Sequence, residues 1–98
     1  MMMLQVYDAR NSGLHDYNFK GADINYISCI ITISLESPRG ENDQLIIKNF
    51  LVVQITHKEE WGKGSYICSS NVQSTLPDEK MLEIELNSGD NIKVIWRE

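Results

Sequence analysis

Apolar and polar positions alternate along much of this chain with the period of two that a half-buried strand requires. The clearest instance is residues 30–36, IITISLE: Ile31, Ile33 and Leu35 point one way, and Thr32, Ser34 and Glu36 the other. Just upstream, Ala22, Ile24 and Tyr26 share a face, with Asp23 and Asn25 on the reverse. A tight connection through Ile27, Ser28 and Cys29 makes the two stretches a hairpin in which Tyr26 faces Ile31 and Ile24 faces Ile33. Residues 45–58, LIIKNFLVVQITHK, form the longest mostly apolar run. Periodicity alone leaves a helix open for such a run, but its β-branched content and lack of Gly and Pro favour a strand. The expectation is one central strand, with Leu45, Ile47, Leu51, Val53 and Ile55 on its apolar side. Leu51, Val53 and Ile55 should be among the most buried residues, packed near Ile31, Ile33, Leu82, Ile84, Val94 and Trp96.

The chain should close on a second hairpin, 81–86 against 92–97. Opposite residues in an antiparallel pair share a face. The apolar sets therefore meet if Leu86 faces Ile92, Ile84 faces Val94 and Leu82 faces Trp96, which sets Glu85 opposite Lys93. The loop must then hold an odd number of residues, 88–90 or 87–91. Elsewhere the pattern is punctuated. Residues 4–7, LQVY, read as a short strand, and 8–13, DARNSG, as turn chemistry. Residues 17–26 read as a strand with a bulge at Gly21. Residues 37–43, SPRGEND, form a surface loop. Residues 65–69 are a short strand or one helical turn, and 70–80, with Pro77, read as a loop. Short strands at regular intervals predict an all-β fold, an antiparallel β-sandwich or partly open barrel of about six to seven strands with at most one short helical turn.

Composition narrows the function more than the fold. The 98 residues make one domain, 1–98, able to bury one modest core. Fourteen acids against nine bases give a net charge of −5. No cluster of Lys and Arg suits a phosphate backbone, so nucleic acid is not the expected partner. An acidic surface favours basic partners through steering. Met1, Met2, Met3 and Leu4 are followed at once by Gln5, Asp8 and Arg10, so no signal peptide forms, and no run is long enough for a membrane span. The expectation is a cytoplasmic protein with no membrane partner, in which Cys29 and Cys68 are partly buried free thiols.

Candidate chemistry is sparse. His15 beside Asp16 has the composition of a base with its orienter, yet neighbours on a strand point to opposite faces. The plainer reading is a loop His beside a capping Asp. His57 with Glu59 and Glu60 lacks a third ligand at a recognised spacing, so no metal and no cofactor is expected. The stretch from Trp61 to Ser65, WGKGS, lacks the spacing of a P-loop. Its glycines can fold Trp61 onto the core, or leave it as an exposed aromatic ringed by acids, the composition of an interface hot spot. Charge density and loop location make Glu59, Glu60, Trp61, Asp78 and Glu79 the candidate partner-binding residues.

Several pieces in order carry a resemblance: Leu14, His15 and Asp16 before a strand, DINY followed by IITISLESP, the strand KNFLVV, the Trp61-Gly62 loop, and the final ELNSGDNIKV hairpin. Together they resemble small all-β bacterial proteins encoded beside polymorphic toxins, among them the immunity proteins of contact-dependent growth inhibition. The resemblance implies a non-enzymatic inhibitor, with no catalytic residues, that binds a cognate toxin domain and blocks its active site or another essential surface. The expectation is a protein that is monomeric when free. Toxins of this class include nucleases, whose basic clefts an acidic protein can fill. The alternatives are a small ligand-binding barrel or enzyme using His15 or His57, and an oligomeric scaffold module joined through strand edges.

Overall fold

The structure, a computed structural model, describes residues 2–98. Two four-stranded sheets pack face to face. The first runs β1 (Met2–Leu4), β4 (Asn42–Lys48), β3 (Ile30–Glu36), β2 (Asn18–Asn25). The second runs β5 (Phe50–Ile55), β8 (Asn91–Arg97), β7 (Glu79–Leu86), β6 (Ile67–Leu76). All pairings are antiparallel except β1 with β4. The all-β sandwich read from the sequence is therefore the fold, with eight strands among the described residues. The inner faces alternate as expected: Ile31, Ile33 and Leu35 meet Leu82, Ile84, Ile92, Val94 and Trp96 in one buried core. Among the described residues no helix is long and apolar enough to cross a membrane.

Three segments depart from the sequence reading. The run 45–58 is not one strand. Asn49 takes a left-handed conformation (φ 60°) and turns the chain out of the first sheet and into the second. A short amide side chain tolerates that conformation better than a β-branched or bulky one does. Leu45 and Ile47, on β4, are buried as predicted. Leu51 and Ile55, on β5, are each 44% exposed and Val53 is only half-buried, because β5 is an edge strand. Residues 67–76, most of which read as loop, form β6. Its polar residues are explained by its place at an edge: Ser70 faces the core side opposite Ile84, where its hydroxyl donates to the Ala9 carbonyl (2.8 Å) and accepts the Leu14 N–H (3.1 Å). Residues 4–7 are not a strand; β1 ends at Leu4, and a 3-10 helix (Val6–Ser12) follows and packs along β6.

Both hairpins keep the predicted faces but slide by two residues. Ile24 faces Ile31 and Ala22 faces Ile33; Ile84 faces Ile92 and Leu82 faces Val94. Lys93 consequently lies opposite Glu83 rather than Glu85. A slip of two preserves which face each side chain occupies, so the apolar pattern cannot discriminate between such registers. Turn closure does. At 26–29 the Asn25 side chain accepts the Ser28 N–H (3.1 Å) and Cys29 is left-handed (φ 58°). At the second turn Gly89 supplies φ 89°, the Gly89 N–H donates to the Leu86 carbonyl, and the Leu86 N–H to the Asp90 carbonyl. That is a three-residue loop, 87–89, with its glycine at the left-handed position. The predicted bulge is present, with Lys20 as the unpaired residue between Phe19 and Gly21.

The sandwich has two ends. Near Tyr66, β2 and β6 meet through a bridge from Asn18 to Tyr66 and through the bonds Asp16 N–H to Ile67 carbonyl and Ile67 N–H to Tyr17 carbonyl. The segments 13–17, 37–41, 56–66 and 87–90 gather at this loop end. The β2–β3 turn, Asn49, the β6–β7 turn and Glu98 gather at the other, the tip end, tied by bonds from Phe50 N–H to the Cys29 carbonyl and Glu98 N–H to the Asp78 carbonyl.

Candidate functional site

One buried carboxylate organises the loop end. Asp90 is 4% exposed and accepts the backbone N–H groups of Lys58 (2.6 Å) and Glu59 (3.0 Å), the Ser88 hydroxyl (2.9 Å) and the Thr56 hydroxyl (3.3 Å). Burial pushes its carboxyl up, but the donors from Lys58, Ser88, Glu59 and Thr56 outweigh burial and hold it below the ordinary carboxylate value. The 87–90 turn thereby grips the start of the 56–66 loop. The grip continues at Trp61, whose N–H donates to the Ser88 carbonyl (3.1 Å), and at Asn87, whose side-chain oxygen accepts the N–H groups of Ser65 (2.8 Å) and Tyr66 (3.1 Å).

Trp61 does not fold into the core. Its indole lies over Gly89, where a β-carbon would come within 3.0 Å of the ring, while the residue stays 72% exposed. One face is thus seated on backbone and the other is presented to solvent. Glu60 beside it is exposed, and Glu59 is half-buried with its carboxylate 3.2 Å from His57. The loop end also carries half of the fourteen acids but only three of the nine bases. Asp16, Glu36, Glu41, Asp43, Glu59, Glu60 and Asp90 lie in or beside its segments, against Arg39, Lys58 and Lys63.

The five candidate residues divide between the ends. Glu59, Glu60 and Trp61 belong to the loop end. Asp78 and Glu79 lie at the β6–β7 turn, the full length of β7 away, where Glu79 faces Arg97 across the ladder. An eight-residue strand spans roughly 25 Å, so the two groups form separate patches.

The histidines do not converge. His15 Nδ1 lies 3.3 Å from Asp16 Oδ2, a contact possible because the pair sits in a turn with Asp16 left-handed (φ 71°) rather than on a strand. His15 lines an open depression of about 600 Å³ with Glu36, Tyr66 and Cys68, whereas His57 lines a separate cleft of about 160 Å³ with Phe19, Ile55 and Asp90. Among the described residues no three His, Cys, Asp or Glu side chains form a metal-ligand set. Cys29 and Cys68 are free and half-buried.

One exposed feature escaped the sequence reading. Tyr26 and Ile27, at the tip of the β2–β3 turn, are the two most exposed large apolar residues described. Their signal was present: apolar residues at turn positions, where polar ones are usual, have no packing reason to be there. Comparison with protein-family models, with curated proteins and with solved structures found no match to this chain.

Proposed function

We propose that this chain is an immunity-type protein, a stoichiometric inhibitor that binds a cognate toxin domain through its loop end and performs no catalysis of its own. The observation that supports it is the setting of Trp61: an exposed indole seated on Gly89, clamped by the Asp90 network, at the end of the molecule where acids outnumber bases. An aromatic anchor whose backbone is already tied down, here through the Trp61 N–H to the Ser88 carbonyl, loses less freedom on binding, which favours an interface hot spot. The surrounding acids steer a positively charged partner toward it, and a basic toxin cleft, such as that of a nuclease, has the complementary charge. Asp78 and Glu79 lie too far away to join this patch and play no part in the proposed contact.

The test is co-expression with the product of the adjacent upstream reading frame. The expected result is that this product arrests growth alone, that the present chain restores growth, and that the two purify as a 1:1 complex. A product harmless by itself, or no complex, overturns the proposal.

A further inference from the structure

Two isoleucines are exposed although they point inward. Ile24 lies opposite Ile31 and Ile55 opposite Ile92, and both partners are fully buried. Opposite residues share a face, so Ile24 and Ile55 are directed between the sheets. Yet they are 50% and 44% exposed. Their strands, β2 and β5, are the edges of the two sheets on one flank, and no ladder joins them. That flank of the core is open.

β5 is also the edge with the least protection, its one blunting device being the bulge at Leu51. Natural edges are blunted by charge, proline, bulges, shortness or a covering segment. β1 has three residues, β2 carries Lys20 and Asp23, and β6 is bonded at its first residue, Ile67, to residues 16 and 17 and packed against the 3-10 helix. β5 reads FLVVQI, with no charge and no proline, in a chain of net charge −5. Its free hydrogen-bonding groups can be located. The Thr56 N–H reaches the Asn91 carbonyl on the β8 side, while the Phe50 N–H turns away from β8 to Cys29. With the bulge between Phe50 and Val52, the alternation directs the Gln54 and Val52 groups to β8 and leaves those of Val53 and Ile55 facing outward.

We infer that a second copy of this chain occupies that edge, β5 pairing antiparallel with its counterpart about a two-fold axis at Val53. In this register Val53 faces Val53 of the partner subunit, Leu51 faces Ile55 of the partner subunit, and Val52 faces Gln54 of the partner subunit. No like charges meet, because β5 carries no charged residue at any position. A two-fold contact uses the same patch twice and closes, so it ends the sheet rather than propagating it. The half-exposed Ile24 and Ile55 of each copy are covered by the flank of the other. Both loop ends stay free, since the axis crosses the middle of β5, so the pairing stands or falls independently of toxin binding. It departs from the monomeric free state expected from the sequence.

Sedimentation velocity on the purified full chain over a concentration series tests this. The expected result is a species of twice the 11.3 kDa chain mass. Val53→Pro removes an outward N–H and spares the β8 ladder, and Ile55→Lys places a charge at the seam on a stem long enough to reach water. Each should weaken self-association at least a hundredfold while the circular dichroism spectrum is kept. Amide exchange at Val53 and Ile55 should be slow in the wild type and fast on dilution. A wild-type chain monomeric up to about 1 mM, or a dimer that survives both substitutions in folded protein, overturns the inference.

Discussion

At the scale of the residue, Asp90 shows how a buried charge becomes a structural joint. Four donors converge on its carboxylate, two of them backbone groups of a loop more than thirty positions away in sequence. Its folded pKa lies below the ordinary 3.8. Its contribution to stability is therefore present above that unfolded value and is lost as the pH falls through the lower folded value. Asp90→Asn should lower the melting temperature at pH 6, and the gap from the wild type should close toward pH 2; melting curves across that range check it, and a constant gap would show that the charge is immaterial. Gly89 is the second joint. It combines φ 89° with an indole where a β-carbon would go. Gly89→Ala should cost about 1–3 kcal/mol and displace Trp61, read as a lower urea midpoint together with a shift in tryptophan emission.

At the scale of the element, the energetic contrast lies between strands that look alike. Leu82 on β7 is fully buried, while Leu51 on the edge strand β5 is half in water. Leu82→Ala should cost roughly 2–5 kcal/mol, and Leu51→Ala no more than about 1 kcal/mol. Urea unfolding of the two variants at low protein concentration, where each chain stands alone, gives the comparison. A large loss at Leu51 would mean that β5 is covered. The expectation of a single central strand would have made the two substitutions equivalent. The difference arises at Asn49, where one apolar run is divided between an interior and an edge position.

At the scale of the whole molecule, charge and anchoring are separable. In the proposed complex the acids of the loop end act at a distance and Trp61 acts on contact. With the toxin partner in hand, Glu60→Gln should slow association and flatten its dependence on salt, leaving dissociation nearly unchanged. Trp61→Ala should instead speed dissociation, weakening binding by about thirtyfold or more, the loss of some 2 kcal/mol. Surface plasmon resonance at two ionic strengths resolves the two rates, and equal effects of both variants on association would argue against an anchor at Trp61.

Which side chains face inward was legible in the sequence, because a period of two is a property of the strand itself: Ile31, Ile33, Leu82, Ile84, Val94 and Trp96 all lie in the core. So were the bulge beside Gly21 and the loop location of Trp61. Register was legible only to within two residues, since a slip of two leaves every face unchanged and only turn closure at Cys29 and Gly89 separates the alternatives. Edge or interior was not legible at all. Burial of Leu51 and Ile55 depends on whether a neighbouring strand lies beside β5, and that is fixed by sheet order, not by any residue of β5. The division of Glu59, Glu60 and Trp61 from Asp78 and Glu79 has the same origin. Local chemistry writes the pattern along a strand, whereas distances across the molecule follow from how strands far apart in the chain are stacked side by side.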